Sequence, residues 1–415
     1  MRTDARSLRA AVLFFITLSG AAFAAAESFK PNIVVILADD FGWGSSTPYG
    51  AKGLNTPNLD RLAREGRRFT HAYAPGSVCS PSRYGLMTGR YYWRTAIKDG
   101  EVLTPTAPLH IEPGRLTIAS LCQSQGYRTG AVGKWHLGLQ TGVAETDWNQ
   151  PLQPGPRAVG FDYFYGLGGN PGNGPHAFIE DENIVGRIPG EKVVVASAGA
   201  KGTTTGIREQ RVVDRIMETL AAKATNWVEA NHASPFFLYF APNAVHGPIA
   251  PNARFTGSSY GSYGDFIHEL DWSVGQILAT LDRLKLTENT LVIFTSDNGG
   301  IVDAGNGNTG KAMFTAAAFD GNRDAYVSNA FKSVAGKNMT IPVRDIRRTT
   351  VNGIPAFYAR SVVNTQQGQR AVSVYAYEWS PGTAFHFVTI TAANARPFDG
   401  MFESMSRLAI RKQQK

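Results

Sequence analysis

Four short apolar runs constrain what this chain can fold into. Residues 32–37 (NIVVIL), 129–132 (TGAV), 236–240 (FFLYF) and 290–295 (TLVIFT) are apolar at successive positions rather than at alternate ones. That pattern belongs to parallel strands covered on both faces. Helix patterns separate the runs. Thr56-Pro57-Asn58-Leu59 supplies an N-cap residue and a proline at the first helical position, with Gly66 as the stop. Residues 207–231 carry Val213, Ile216, Leu220, Trp227 and Val228 at helical spacing, and residues 266–286 repeat the pattern with Phe266, Leu270, Val274, Ile277, Leu278 and Leu281. Strands alternating with helices predict an α/β domain with a mainly parallel central sheet flanked by helices.

The residues just past each run carry the chemistry. Asp39-Asp40 follows the first, Lys134-Trp135-His136 the second, Asn243-Ala244-Val245-His246 the third and Asp297-Asn298 the fourth. In open α/β sheets ligands bind beyond the carboxyl ends of the strands, so these groups are expected to converge. Asp39, Asp40 and Asp297 bring three carboxylates and Asn298 an amide oxygen. Close negative charges repel without a cation, and an all-oxygen set suits a hard ion, Ca²⁺ or Mg²⁺. A helix cap is the plainer account of any single Asp or Asn, but two acidic strand ends in one fold weigh against it. Lys134, His136, His246 and Arg83 add groups able to grip an oxyanion and pass protons. Cys79, one of only two cysteines, precedes Pro81. A helix begun there would place Cys79 near free N–H groups that favour an anion. On spacing alone, a thiolate nucleophile with His136 or His246 as base is the runner-up chemistry.

A chain of 415 residues has room for a large core. Residues 1–26 run from a basic start through an apolar stretch to Ala22-Phe23-Ala24, the pattern of a secretory signal peptide, so export to the periplasm or the medium is expected. The apolar stretch is shorter than the ~20 residues that span a bilayer. In an oxidising compartment a Cys79–Cys122 disulfide is the plain reading of the two cysteines. The formal charge of +8 is spread without a dense block, which favours an anionic small substrate or polysaccharide over nucleic acid. The expected division is an α/β catalytic domain over 27–305, a linker over 306–324 and a β-rich region over 325–415. In the last, residues 371–379 and 384–391 read as a hairpin about Ser380-Pro381-Gly382-Thr383, with 358–364 beside it. Gly257-Ser258-Ser259-Tyr260-Gly261 matches Gly-x-Ser-x-Gly but follows a loop rather than a strand, which argues against a nucleophile elbow.

Cys79-x-Pro81-Ser82-Arg83 followed by Leu86-Met87-Thr88-Gly89-Arg90 resembles the signature of the type I sulfatases. Other runs agree in order: Ala38-Asp39-Asp40-Phe41-Gly42, Thr56-Pro57-Asn58-Leu59-Asp60, Gly133-Lys134-Trp135-His136, Gly160-Phe161-Asp162-Tyr163 and Ser296-Asp297-Asn298-Gly299-Gly300. The resemblance implies an alkaline-phosphatase-like α/β fold and hydrolysis of a sulfate ester to an alcohol or phenol plus sulfate. It implies Ca²⁺ held by Asp39, Asp40, Asp297 and Asn298. Cys79 would be oxidised to Cα-formylglycine by a formylglycine-generating enzyme. One hydroxyl of the hydrated aldehyde would attack sulfur, and the other would lose its proton and expel sulfate. Arg83 and His136 would hold the modified side chain, while Lys134 and His246 would contact the sulfate and assist the leaving group.

The resemblance stops after Gly300. The family's Leu-Arg-Gly-x-Lys and Glu-Gly-Gly runs are missing, and Lys311, in Asn308-Thr309-Gly310-Lys311, is the candidate to replace the substrate-binding lysine that the resemblance implies. The tail is weakly similar to a region following some zinc metallopeptidase domains, although His268-Glu269 is followed by Trp272 and not by a second histidine. Two further readings follow: a phosphoryl or phosphonyl ester hydrolase on the same fold, and a truncated or fused, catalytically impaired anion-binding protein.

Overall fold

The computed structural model describes residues 30–70, 72–95, 101–196, 203–259 and 261–300, residue 325, and strand segments at 311–318, 347–351, 354–365, 368–380 and 383–392. The expected signal peptide lies outside them. All four apolar runs form strands. In chain order the described residues up to 300 contain β1 (Asn32–Ala38), β2 (Arg128–Lys134), β3 (Tyr163–Leu167), β4 (Ile179–Glu180), β5 (Asn183–Ile184), β6 (Val194–Val195), β7 (Thr204–Thr205), β8 (Phe236–Ala241) and β9 (Thr290–Ser296). Seven of them make one sheet, ordered β5-β4-β3-β2-β8-β1-β9. From β3 to β9 every pairing is parallel, and β4 and β5 add an antiparallel end. The sequence reading assigned no strand at β3, whose short aromatic run becomes a strand through its register with β2, Ala131 opposite Phe164.

The helices are α1 (Pro57–Glu65), α2 (Cys79–Thr88), α3 (Ile118–Ser124), α4 (Ile216–Asn231) and α5 (Gly261–Arg283). β1 shows why its run is apolar throughout. Val34, Ile36 and Ala38 enter a core with Leu59, Leu220, Val228, Leu270 and Ile277 from α1, α4 and α5. Val35 and Leu37 enter a second core with Tyr84, Met87 and Ala119 from α2 and α3. Burying each large side chain contributes about 1.5–3 kcal/mol before entropy is counted. At the end of β2 the sheet permits only glycine: Gly133 has φ +124°, and a Cβ there would stand 2.0 Å from the Ala241 carbonyl oxygen.

Two expectations need correction. Thr56 occupies the N-cap position of α1, but its hydroxyl bonds Thr47 instead of the helix. The cap comes from α5, where the Asp271 carboxylate accepts from the backbone N–H groups of Asn58 and Leu59 at 3.2 and 2.9 Å. Among the described residues, β9 packs on one face only. Val292 and Phe294 pack on the α4–α5 side, whereas Leu291 and Ile293 are 52% and 41% exposed. A run of apolar residues does not distinguish a central strand from an edge strand, because both share the apolar composition.

The C-terminal strands are β10 (Lys311–Ala318), β11 (Arg347–Val351), β12 (Ile354–Thr365), β13 (Gly368–Ser380) and β14 (Thr383–Ala392), an antiparallel sheet ordered β10-β14-β13-β12-β11. The expected hairpin is β13–β14, and β12 lies beside it. β10 falls inside the stretch expected to be a linker; it belongs to this sheet through β14. No helix among the described residues is long and apolar enough to cross a membrane.

Candidate active site

The strand ends converge as expected. β1 and β9 run in register to their last residues, Ala38 opposite Ser296. The Asp297 N–H then bonds the Ala38 carbonyl at 3.0 Å, and the Asp40 N–H bonds Asp297 Oδ1 at 3.1 Å. Cys79 is the first residue of α2, and Arg83 lies four residues further along. Arg83 is fully buried. Its Nε and Nη2 donate to Asp297 Oδ2 at 3.1 and 2.8 Å, Nη2 to Asp39 at 3.3 Å and Nη1 to the Lys134 carbonyl at 2.8 Å. Lys134 Nζ donates to both oxygens of Asp39 and lies 3.2 Å from the Cys79 sulfur. Residues far apart in sequence thus enclose one side chain, that of Cys79.

The electrostatics follow from burial. Burial alone would raise Asp39, but Lys134, His246 and Arg83 outweigh it and hold this carboxyl below its usual range. Burial and the Asp39 charge push Asp297 upward against Arg83 and Lys134. Burial would discharge Lys134, and Asp39 reverses the effect, raising its pKa. The Cys79 thiol is pushed up by burial first, with Asp39, Asp297 and Asp40 adding to it and Lys134 opposing. This corrects the thiolate expectation: the helix N-terminus is there, but desolvation dominates. The disulfide expectation also fails, since Cys79 and Cys122 are both free.

Three carboxylates face two buried cations, which leaves one negative charge. A dication would reverse that sign. The donor set fits a hard cation: Asp40 Oδ2 and Asn298 Oδ1 are buried without a hydrogen-bond partner, and oxygen donors in this number suit Ca²⁺. One oxygen each of Asp39 and Asp297 lies with the Cys79 sulfur in a group spanning at most 4.8 Å. Asp39, Asp40, Asp297 and Asn298 could hold such an ion.

The two histidines differ. His136 is buried, and burial together with Lys134 and Arg83 holds its imidazole neutral, well below the usual value. Its Nε2 pairs with the Leu103 carbonyl at 3.1 Å, so Nε2 carries the proton and the unpartnered Nδ1 is an acceptor. His246 remains 15% exposed, with Nε2 3.7 Å from Asp40 Oδ2. Lys311 begins β10, opposite Ile390; its side chain lies outside the described residues. Tyr239, whose hydroxyl lies 3.4 Å from Arg83 Nη1, escaped the sequence reading because it sits in the apolar run of β8.

The sulfatase family model matches residues 31–326. This chain belongs to the sulfatase family. It is 38% identical over 316 residues to an N-acetylgalactosamine-6-O-sulfatase of Bacteroides thetaiotaomicron, covering 67% of this chain and 61% of that one. It is 34% identical over 327 residues to the steryl-sulfatase of Rattus norvegicus, covering 66% and 56%. Among solved structures, BT33336S-sulf, from work on glycosaminoglycan metabolism by Bacteroides thetaiotaomicron, superposes with a TM-score of 0.63 at 36% identity, covering 67% of this chain and 64% of that one. The PsFucS1 sulfatase of Pseudoalteromonas sp. gives a TM-score of 0.52 at 26% identity, covering 73% and 61%. This sulfatase thus spans less than two thirds of the length of these curated relatives.

Proposed function

We propose that this sulfatase hydrolyses a sulfate ester to an alcohol or phenol and inorganic sulfate, acting outside the cytoplasm after export. The observation that carries the reading is the position of Cys79: at a helix N-terminus, 3.2 Å from a buried ammonium, and beside two carboxylates suited to a cation. Oxidised to formylglycine by a formylglycine-generating enzyme and hydrated, residue 79 supplies one hydroxyl for attack and a second for release of sulfate. Ca²⁺ on Asp39, Asp40, Asp297 and Asn298 supplies positive charge for the sulfuryl oxygens.

The chain's own residues do the rest. Arg83, tied to Asp297, Asp39 and the Lys134 carbonyl, holds the metal carboxylates in place behind residue 79. Lys134 presents a charged N–H to whichever atom residue 79 carries and steadies charge on an oxygen there. His136 accepts a hydrogen bond at Nδ1 and orients a hydroxyl. His246, more exposed than His136, Lys134 or Arg83, meets the sulfate ester and donates to the leaving oxygen. Lys311 is the candidate for a further substrate contact.

The test is the mass of the peptide containing residue 79 from protein made in its native host, together with turnover of an aryl sulfate and an aryl phosphate. A residue lighter than cysteine by H₂S less one oxygen, with faster sulfate turnover, supports the reading. An intact thiol without turnover sinks it, and faster phosphate turnover favours a phosphoryl hydrolase.

A further inference from the structure

Ser80 follows Cys79 in α2 and is buried. Its hydroxyl oxygen accepts from the Leu103 N–H at 3.1 Å. The carbonyl of that same leucine accepts from His136 Nε2, also at 3.1 Å. Leu103 thus bonds both the helix that carries residue 79 and the buried imidazole. Ser82, by contrast, donates to the Gly76 carbonyl at 2.7 Å and makes no such link. A neutral histidine has two tautomers, and the partner of one ring nitrogen decides which is present. The Leu103 carbonyl can only accept, so it places the proton on Nε2 and leaves Nδ1 as the acceptor.

A backbone carbonyl sets a tautomer only while it stays in place. The segment is anchored further along: the Leu139 N–H donates to the Ala107 carbonyl at 3.0 Å, and the Leu109 N–H to the Gln140 carbonyl at 2.7 Å. Leu103 precedes these anchors and follows Val102, which is 39% exposed. The Ser80 hydroxyl ties it inward. His136 is also held through its own backbone. Its φ is +55°, uncommon for a residue other than glycine, and its N–H donates to the Gly168 carbonyl at 3.0 Å. Such a backbone persists where its surroundings hold it, and it clusters at functional sites. We propose that Ser80 is a positioning residue for the hydrolysis: through Leu103 it fixes the tautomer and direction of the His136 ring, so that Nδ1 accepts from a hydroxyl of residue 79. The Cys79-x-Pro81-Ser82-Arg83 signature leaves this position open. The proposal rests on the reading in which His136 orients a hydroxyl of hydrated residue 79, and adds the side chain that orients His136.

The test compares Ser80→Val with Ser80→Thr in the full chain; the two match in size and differ in whether an oxygen is present for Leu103. Ser80→Ala repeats the first without added bulk and should behave as Ser80→Val does. One readout is nitrogen NMR of isotopically labelled histidine in protein that keeps the Cys79 thiol, with His136→Gln identifying the signal. It reports the tautomer without any turnover. The parent and Ser80→Thr should show the proton on Nε2, and Ser80→Val a mixture of both tautomers. The other readout is turnover of an aryl sulfate, divided by the formylglycine content that peptide mass gives. Ser80→Val should lower kcat by about tenfold or more, because small misplacements of a catalytic group are costly. KM should change by less than about twofold, and Ser80→Thr should recover most of kcat. A hydroxyl that only clips the segment would lower the melting temperature and leave tautomer and kcat as in the parent, and that result overturns the proposal. So does equal loss in Ser80→Val and Ser80→Thr. Parent protein that carries formylglycine and turns nothing over removes the hydrolase reading, whereas a tautomer change in Ser80→Val supports the link from Ser80 to His136 in either case.

Discussion

Lys134 donates to both carboxylate oxygens of Asp39, at 2.9 and 2.7 Å, across 95 residues of sequence, and both side chains are fully buried. Strand order makes the contact: β8 separates β2 from β1, and the two side chains meet beyond the strand ends. Removing one member of such a pair leaves a buried charge unpaired, which costs about 3–5 kcal/mol. Lys134→Met should therefore lower the stability of the metal-free protein by that amount in urea titrations. A loss below about 1 kcal/mol would show that Arg83 alone neutralises Asp39.

Removal of metal should also be visible without any assay of activity. Asp40 Oδ2 and Asn298 Oδ1 are buried without hydrogen-bond partners, so the metal-free state carries desolvated oxygens that Ca²⁺ would satisfy. Calcium at a hundred times its dissociation constant should stabilise the fold by about 2.7 kcal/mol, read as a higher melting temperature than in chelator. Asp297→Asn should shrink that difference. Identical melting with calcium and with chelator would remove the metal site.

Glu269 provides a pH-dependent term away from the site. Its side chain is fully buried; Oε2 accepts from the Asn252 N–H at 2.9 Å, and Oε1 has no partner. Burial raises its pKa from 4.5 to about 7, with Glu218 and Asp214 adding to the rise and Asn252 and Arg254 opposing it. The folded state therefore holds a proton that the unfolded chain releases, and stability falls as pH rises from about 4.5 to about 7. At roughly 1.4 kcal/mol for each pH unit between those values, the loss is on the order of 3 kcal/mol. Glu269→Gln keeps an acceptor for Asn252 and should flatten this part of the stability profile, measured as denaturant midpoints at pH 5 and pH 8. A profile as steep as the parent's would place the titration elsewhere.

β1 and β9 should respond differently to the same change. Ile36→Ala empties a fully buried position and should cost about 2–5 kcal/mol. Ile293→Ala, at a position 41% exposed, should cost under about 1 kcal/mol. Equal losses in chemical denaturation would mean that β9 is covered in solution.

Apolar residues at successive positions made β1, β2, β8 and β9 legible as strands; cover on both faces is the reason for β1, β2 and β8, whereas β9 has the same composition with Leu291 and Ile293 exposed. The polar residues after those strands were legible for a related reason, because side chains at parallel strand ends face one crevice. Asp39, Asp40, Asp297, Asn298, Lys134, His136, His246 and Cys79 could all be named before any coordinates. Only the tertiary structure decided that Asp271 caps α1, that β10 joins the C-terminal sheet, and that Leu291 and Ile293 lie open at an edge. It also decided the ionisation of Cys79, where the local signal of a helix N-terminus favours a thiolate and burial overrides it. The physical reason is range. Periodicity and turn chemistry act between near neighbours along the chain, whereas burial, charge pairing and strand order depend on segments that meet only after folding.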